Sequence, residues 1–251
     1  MKKTLKTDRK IVQILGIDID STSIDRVLTA VEEKVSDSHR FYITTPNPEL
    51  VLASTKNKKL KEALNNADFS IPDGVGLKIA NWNLNIIKGR VLFGELIKLA
   101  VRKQWKVFLL GGLSEEAKIA KLKIKNSLKI ENLELKIESL GGKQVKPQLT
   151  NDQIKTINDF KPDLLFVAFK NPDQEIFMYE NIDKLNVKGM MAVGGTFRYI
   201  SGLSSLPPKW LEKLGLEWLW RLATEPYRIK RIFNAVILFP LKVWMSTLLK
   251  N

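Results

Sequence analysis

A chain of 251 residues, 44% hydrophobic and without cysteine, can bury one large core and offers neither disulfides nor thiolate metal sites. Its 41 basic against 27 acidic residues give a formal charge of +14, much of it scattered lysine such as Lys56-Asn57-Lys58-Lys59 that a solvated surface explains. No unbroken run of about 18 apolar residues occurs, so no bilayer-spanning segment is predicted, and the basic start Met1-Lys2-Lys3 leads to Asp18 without a signal-peptide cleavage site.

In chain order, strand and helix patterns alternate. Ile11 to Ile17 reads as a strand. Ile24, Val27, Leu28, Val31 and Val35 then recur on one face of a helix, with Ser21 or Ser23 available as its cap. Phe41 to Thr44 is a second strand, ending in Thr45-Pro46-Asn47-Pro48-Glu49, where Asn47 suits an N-cap and Pro48 the first helical position. A helix carrying Leu60, Ala63, Leu64 and Ala67 leads to the strand-like Phe69 to Ile71. That run gives way to Pro72-Asp73-Gly74-Val75-Gly76, with another helix expected after it.

The second half repeats the arrangement. Val107 to Leu110 is a buried strand followed by Gly111-Gly112 and a helix opening at Ser114-Glu115-Glu116. Leu133 to Ile137 reads as a strand before Gly141-Gly142, and Thr150 with Gln153 forms a capping box for a helix to about Phe160. Asp163 to Phe169 and Gly189 to Val193 are further strands, ending in Asn171-Pro172-Asp173-Gln174-Glu175 and Gly194-Gly195-Thr196. Strands separated by helices predict an α/β fold: a Rossmann-like, mainly parallel sheet with helices on both faces.

In such sheets ligands bind beyond the carboxyl ends of the strands. Five turns are expected there, at Thr45-Asn47, Asp73-Gly74, Gly111-Gly112, Gln174-Glu175 and Gly194-Thr196, and Asp73 is the candidate acid among them. Each turn has a plain structural reading, since Pro-Asp-Gly and Gly-Gly are common turn sequences. As a set they can form one pocket, where glycine-turn amides hold a diphosphate without a metal. Asp18-Ile19-Asp20 has the Asp-x-Asp spacing used for divalent cations, but suits a polar turn before Ser21 better; His39, the only histidine, lies between Ser38 and Arg40 and reads as surface loop.

The character changes after Pro207-Pro208. Residues 207–251 carry eight Lys and Arg against three Glu, a net +5 that leaves +9 for residues 1–206, and hold four of the six tryptophans. Two units are therefore expected: an α/β catalytic domain over 1–206 and a basic, Trp-rich helical appendage over 207–251. Tryptophan and arginine bordering an apolar segment suit a helix lying in an anionic membrane interface. The alternative is that these aromatics pack on the core or on another copy of the chain.

Thr45-Pro46-Asn47, Pro72-Asp73-Gly74, Arg90, Gly111-Gly112, Pro172 with Gln174-Glu175, Gly194-Gly195-Thr196-Phe197 and Gly215-Leu216-Glu217-Trp218 through Arg221, Glu225-Pro226, Arg228 and Arg231 resemble the WecG/TagA/CpsF family of bacterial glycosyltransferases. The resemblance implies inverting, metal-independent transfer of a sugar, often of N-acetylmannosamine type, from a UDP-sugar to a polyprenyl-diphosphate-linked acceptor, without a cofactor. It also implies a cytoplasmic protein held peripherally at the inner face of the cell membrane by the C-terminal appendage; a nucleic-acid partner is suggested by charge alone, with no nucleic-acid module visible, and none is expected. By that analogy Asp73 is the general base and Thr45 positions reactants. Asn47, Gly74, Arg90, Gly111, Gly112, Gln174, Glu175, Gly194, Gly195 and Thr196 line the substrates, while Arg221, Arg228 and Arg231 meet diphosphates.

The chain also departs from the family pattern at turns expected to line the donor pocket. Phe93-Gly94-Glu95 stands for Gly-Ser-Asp, Lys170-Asn171-Pro172-Asp173 for Gly-small-Pro-Lys, Arg198 for an acid after Phe197, and Ser205-Leu206-Pro207 for Arg-Ala-Pro. The alternative these changes leave is a catalytically silent nucleotide-sugar-binding protein of the same fold.

Overall fold

A computed structural model describes residues 10–113, 115–127 and 135–248. The expected strand at Ile11 to Ile17 is two short antiparallel strands, β1 (Ile11–Ile14) and β2 (Ile17–Asp20). Leu15 and Gly16 between them both take positive φ, at 49° and 81°, the geometry of a two-residue hairpin turn. Asp18 and Asp20 accordingly lie in a strand rather than a turn, and Asp20 accepts a 2.6 Å hydrogen bond from the Ser70 N–H.

Helix α1 (Ile24–Ser36) is capped by Ser23 and buries Val27, Val31 and Val35. β3 (Phe41–Thr44) leads into α2 (Pro48–Ser54), whose Asn47 cap accepts from the Leu50 N–H at 2.9 Å. After α3 (Lys58–Asn65) and β4 (Phe69–Ser70), the helix expected beyond Gly76 is only a 3-10 turn, Val75–Ile79; the long helix, α4 (Gly89–Arg102), starts later.

Then come β5 (Lys106–Gly111), α5 (Glu116–Ser127), β6 (Lys136–Leu140), α6 (Asn151–Phe160) behind its Thr150/Gln153 capping box, β7 (Leu164–Ala168), α7 (Asp173–Asn181), β8 (Gly189–Ala192) and α8 (Thr196–Ser201). The strand expected to begin at Leu133 has its first two residues outside the described residues, as does Ser114; the described strand is displaced to 136–140.

Six strands form one sheet in the order β4-β3-β8-β7-β5-β6, parallel throughout. Successive side chains leave opposite faces, so Phe41, Ile43, Val107, Leu109 and Phe166 enter one core layer and Tyr42, Phe108, Leu110, Leu165 and Val167 the other. The central strands β7 and β8, and β5 from Val107, are apolar throughout because both faces are covered, whereas the edge strand β6 carries Lys136 and Glu138 on its exposed side. A smaller cluster joins the hairpin, α2 and α3 to Phe239, which is fully buried although it comes from the C-terminal segment.

That segment contains α9 (Lys209–Lys213), α10 (Glu217–Thr224), α11 (Ile229–Phe233) and α12 (Phe239–Leu248). Residues Pro226–Leu248 run as one helix of 23 residues, long and apolar enough by length and composition to cross a membrane. The criterion of an unbroken apolar run passes over it because Arg228, Lys230, Arg231 and Lys242 interrupt the sequence without interrupting the helix. One side lies along the body: burial of Phe239 contributes about 1.5–3 kcal/mol, and Arg231 Nε donates to Glu49 Oε1 and Oε2 at 2.7 and 3.0 Å. On the outward side, Ile229, Phe233, Ile237, Leu241, Trp244 and Leu248 repeat every three or four residues and are exposed.

Candidate active site

Because every strand of the large sheet points the same way, all five expected turns lie along one edge. They fall into two groups according to what holds them.

The first group follows β3 and β4. The Asp73 N–H donates to the Pro46 carbonyl at 2.9 Å and the Ile87 N–H to the Pro72 carbonyl at 3.0 Å, which pins the Asp73 turn between the Thr45 turn and the start of α4. The Gly89 N–H, at the first turn of that 14-residue helix, hydrogen-bonds the Asp73 carboxylate. A methyl on Gly89 would stand 3.4 Å from Asp73 Oδ2 and 3.5 Å from Thr45 Oγ1, so the acid, the hydroxyl and the helix end meet at one point.

Asp73 keeps part of its surface open while its carboxylate is deep-set. Burial raises its pKa above the ordinary carboxylate range; Arg221, the Gly89 N–H and Arg90 act against the rise, and Glu217 adds to it. Gly74, at φ 102°, turns the chain from Asp73 into the 3-10 segment. Asn47 spends its side-chain oxygen on the α2 cap, which leaves its amide nitrogen for a ligand.

The second group is tied by hydrogen bonds between neighbouring turns. The Gly112 N–H donates to the Ala168 carbonyl at 2.9 Å and the Gly142 N–H to the Gly112 carbonyl at 3.3 Å. Gly111 combines φ 92° with a position where a Cβ would lie 2.8 Å from the Ala168 carbonyl oxygen, so contact between turns by itself requires glycine. Gln174 accepts from the Gly194 N–H at 3.0 Å and donates both amide hydrogens, to Asn171 Oδ1 at 2.8 Å and Glu175 Oε1 at 2.7 Å.

Buried and fully committed, Gln174 braces two turns against each other instead of presenting its amide to the edge. Glu175 is also wholly buried; its Oε2 has no hydrogen-bond partner, and burial pushes its pKa up to about 7 against the opposing Gln174 hydrogen bond. At the start of α8, Thr196 donates its hydroxyl to the Val193 carbonyl at 2.6 Å, and Gly195 precedes it without a side-chain cap.

The appendage brings its arginines to this edge in different states. Arg231 is held by Glu49, and Arg228 lies 2.5 Å from Glu225, which is also 3.5 Å from Arg198. Arg198, one of the departures from the family pattern, is thus an anchor for the appendage. Arg90 is paired with Glu212 and, at 3.5 Å, with Glu217. Arg221 lies with its guanidinium 5.8 Å from the Tyr199 ring centre and has no ion pair within 4 Å among the described residues. Of the charged groups around Asp73 it acts on the carboxylate most strongly, second to burial.

Among the described residues no three His, Asp or Glu side chains cluster as a metal would require. Lys88, Gly89 and Glu212 stand at the site without a signal in the sequence, and Glu217, part of the Gly215–Trp218 motif, has an ion-pair role there that the motif does not reveal. Lysine and glutamate are too common for a pairing across more than a hundred residues to leave a local pattern.

Residues 12–251 match the family model described as glycosyl transferase WecG/TagA/CpsF family. The chain is also similar to N-acetylglucosaminyldiphosphoundecaprenol N-acetyl-beta-D-mannosaminyltransferases of Staphylococcus aureus. Those of strains MRSA252 and NCTC 8325 / PS 47 are each 28% identical over 240 residues, covering 92% of this chain and 91% of the relative.

Proposed function

The chain belongs to the glycosyl transferase WecG/TagA/CpsF family, and on that premise we propose that it moves an N-acetylmannosamine-type sugar from a UDP-sugar to a polyprenyl-diphosphate-linked sugar, with inversion, in the synthesis of a cell-surface polysaccharide or teichoic acid. The observation that carries the reading is the deep-set Asp73 carboxylate at the carboxyl edge of the sheet, which keeps part of its surface open, is hydrogen-bonded by the Gly89 N–H and lies within the field of Arg221.

In this reaction Asp73 takes the proton of the acceptor hydroxyl as its oxygen bonds to the anomeric carbon. The bond from that carbon to UDP breaks on the opposite face, and the diphosphate leaves with the electron pair. A carboxylate whose pKa is raised is a stronger base, and the Gly89 N–H and Arg221 favour the ionised form that the step needs. Arg221, which among the described residues has no carboxylate partner within 4 Å, is assigned to a substrate diphosphate, since guanidinium pairs with phosphate bidentately. Thr45 is assigned to orient the reacting groups and Asn47 to hydrogen-bond a sugar or the nucleotide. The turns at Gly111-Gly112 and Gly194-Gly195 are assigned to shape the donor pocket, since the Gly112 and Gly194 N–H groups are already spent on Ala168 and Gln174.

The exposed apolar face of the helix over 226–248 supports peripheral attachment to the inner face of the cell membrane, where a polyprenyl-linked acceptor resides. The experiment is UDP release by the full chain on anionic vesicles carrying a short-chain lipid-linked acceptor. Release is expected only when UDP-sugar and acceptor are both present. Equal release without acceptor, or none with any UDP-sugar, would contradict the reading.

A further inference from the structure

Two cations and two carboxylates meet beside Asp73. Lys88 and Arg90, on either side of the Gly89 that touches the Asp73 carboxylate, face Glu212 of α9 and Glu217 of α10. Both carboxylates contact both cations; the Lys88–Glu212 separation is 3.2 Å and the Arg90–Glu217 separation 3.5 Å. The four side chains are only 21–26% exposed, so solvent and salt screen them less than an ordinary surface pair.

The position of the cations requires an explanation. Lys88 occupies the N-cap of α4 without a side-chain cap, and Arg90 lies in its first turn, so two positive charges sit at the positive end of a 14-residue helix. Glu212 and Glu217 neutralise them from a segment more than a hundred residues away. Gly215, between these glutamates, packs against Val75, two residues after Asp73, with an ideal Cβ 3.0 Å from Val75 Cγ2. The appendage therefore closes on the Asp73 turn from two sides. Arg221 stands four residues after Glu217 in α10, on the same face of the helix.

We propose that Glu212 and Glu217 are positioning residues, which dock the C-terminal segment onto Lys88 and Arg90 and so hold Arg221 beside Asp73. Arg90 then serves as the receptor for this docking and makes no bond to substrate. The chain folds its acid in one part of the sequence and the acid's cationic partner in another, and the four-charge cluster joins them. This role presupposes the reading of Asp73 as the base, but docking is measurable without turnover.

The test uses full-length Arg90→Glu, Glu217→Arg and the double variant on anionic vesicles with UDP-sugar and lipid-linked acceptor, together with hydrogen exchange of residues 207–228. Each single change leaves the cluster with two uncompensated like charges, whereas the double change restores neutrality. Each single variant is expected to lose ~10-fold or more in kcat with faster exchange over 207–228, and the double variant to recover to within ~3-fold on both readouts. Unchanged kcat and exchange in Glu217→Arg would overturn the docking role. A double variant that regains exchange protection but not turnover would overturn the assignment of Arg90 and make it a substrate ligand. Should the reversals not fold, the neutral pair Glu212→Gln with Glu217→Gln carries the same test: faster exchange over 207–228 with the β5–β8 strands unchanged is expected, and equal exchange in both regions overturns it.

Discussion

The turns beyond β5, β7 and β8 are tied to one another by hydrogen bonds, Gly112 to Ala168 and Gly194 to Gln174, with side chains packed on the central strands of the sheet. The Asp73 side of the same edge is completed from outside the sheet, by ion pairs that bring α9 and α10 onto the start of α4. One side is preformed by the fold and the other is assembled by charge. Under the proposed function, the hydrogen-bonded side would receive the nucleotide sugar and the charge-paired side the lipid-linked acceptor, since α9 and α10 lead into the helix with the exposed apolar face.

Substitutions on the two sides of the edge are expected to differ in what they cost. Asp73→Asn is expected to have the largest effect, a loss of ~10²–10⁴-fold in kcat with the fold intact, read by UDP release and circular dichroism. Because burial raises the Asp73 pKa, the proposed base should be lost as pH falls through a value above the ordinary carboxylate range. The acid limb of the wild-type rate profile should lie correspondingly high.

On the preformed side, burial pushes the Glu175 carboxyl up to about 7 from an ordinary 4.5. A carboxyl raised in the folded state favours folding in its protonated form, so its contribution is fully present below about pH 4.5 and is lost as pH rises to about 7. The wild type should lose roughly 3 kcal/mol across that window from this group, and Glu175→Gln should lose none of it; chemical denaturation at pH 5 and pH 8 compares them. Gly111→Ala, which forces φ 92° on an alanine and presses its methyl on the Ala168 carbonyl, should cost about 1–3 kcal/mol of stability. The appendage need not detach.

The smallest effect belongs to the assembled side. Glu49→Gln removes one partly exposed partner of Arg231 and should weaken docking by less than about 1 kcal/mol. It should be visible as faster hydrogen exchange over residues 226–248, with the sheet unaffected.

The preformed side was the more legible of the two in the sequence. Strand and helix periods, glycine turns and the Thr150/Gln153 box are local signals, and they place the sheet edge and its turns. Pro72-Asp73-Gly74 stood out for the same reason, since three adjacent residues end a strand and present an acid. The hairpin at Leu15-Gly16 was hidden because Gly16 lies within an apolar run that satisfies a single strand equally well. The helix over 226–248 was hidden because four charges divide it in sequence and leave its outward apolar face intact in space. Gln174 and Glu175 read as substrate contacts by the family resemblance; only the side-chain geometry reveals an amide with both hydrogens spent and a buried carboxyl behind it. The pairing of Glu212 and Glu217 with Lys88 and Arg90 has no local signature.

The most direct test is the mass of the lipid-linked acceptor after incubation with a panel of UDP-sugars and either wild-type protein or Asp73→Asn. With wild type, the acceptor should gain one sugar, of N-acetylmannosamine type; with Asp73→Asn it should keep its original mass while UDP-sugar binding is retained. Binding without any gain in mass by the wild type would contradict the account and identify a nucleotide-sugar-binding protein without transferase chemistry.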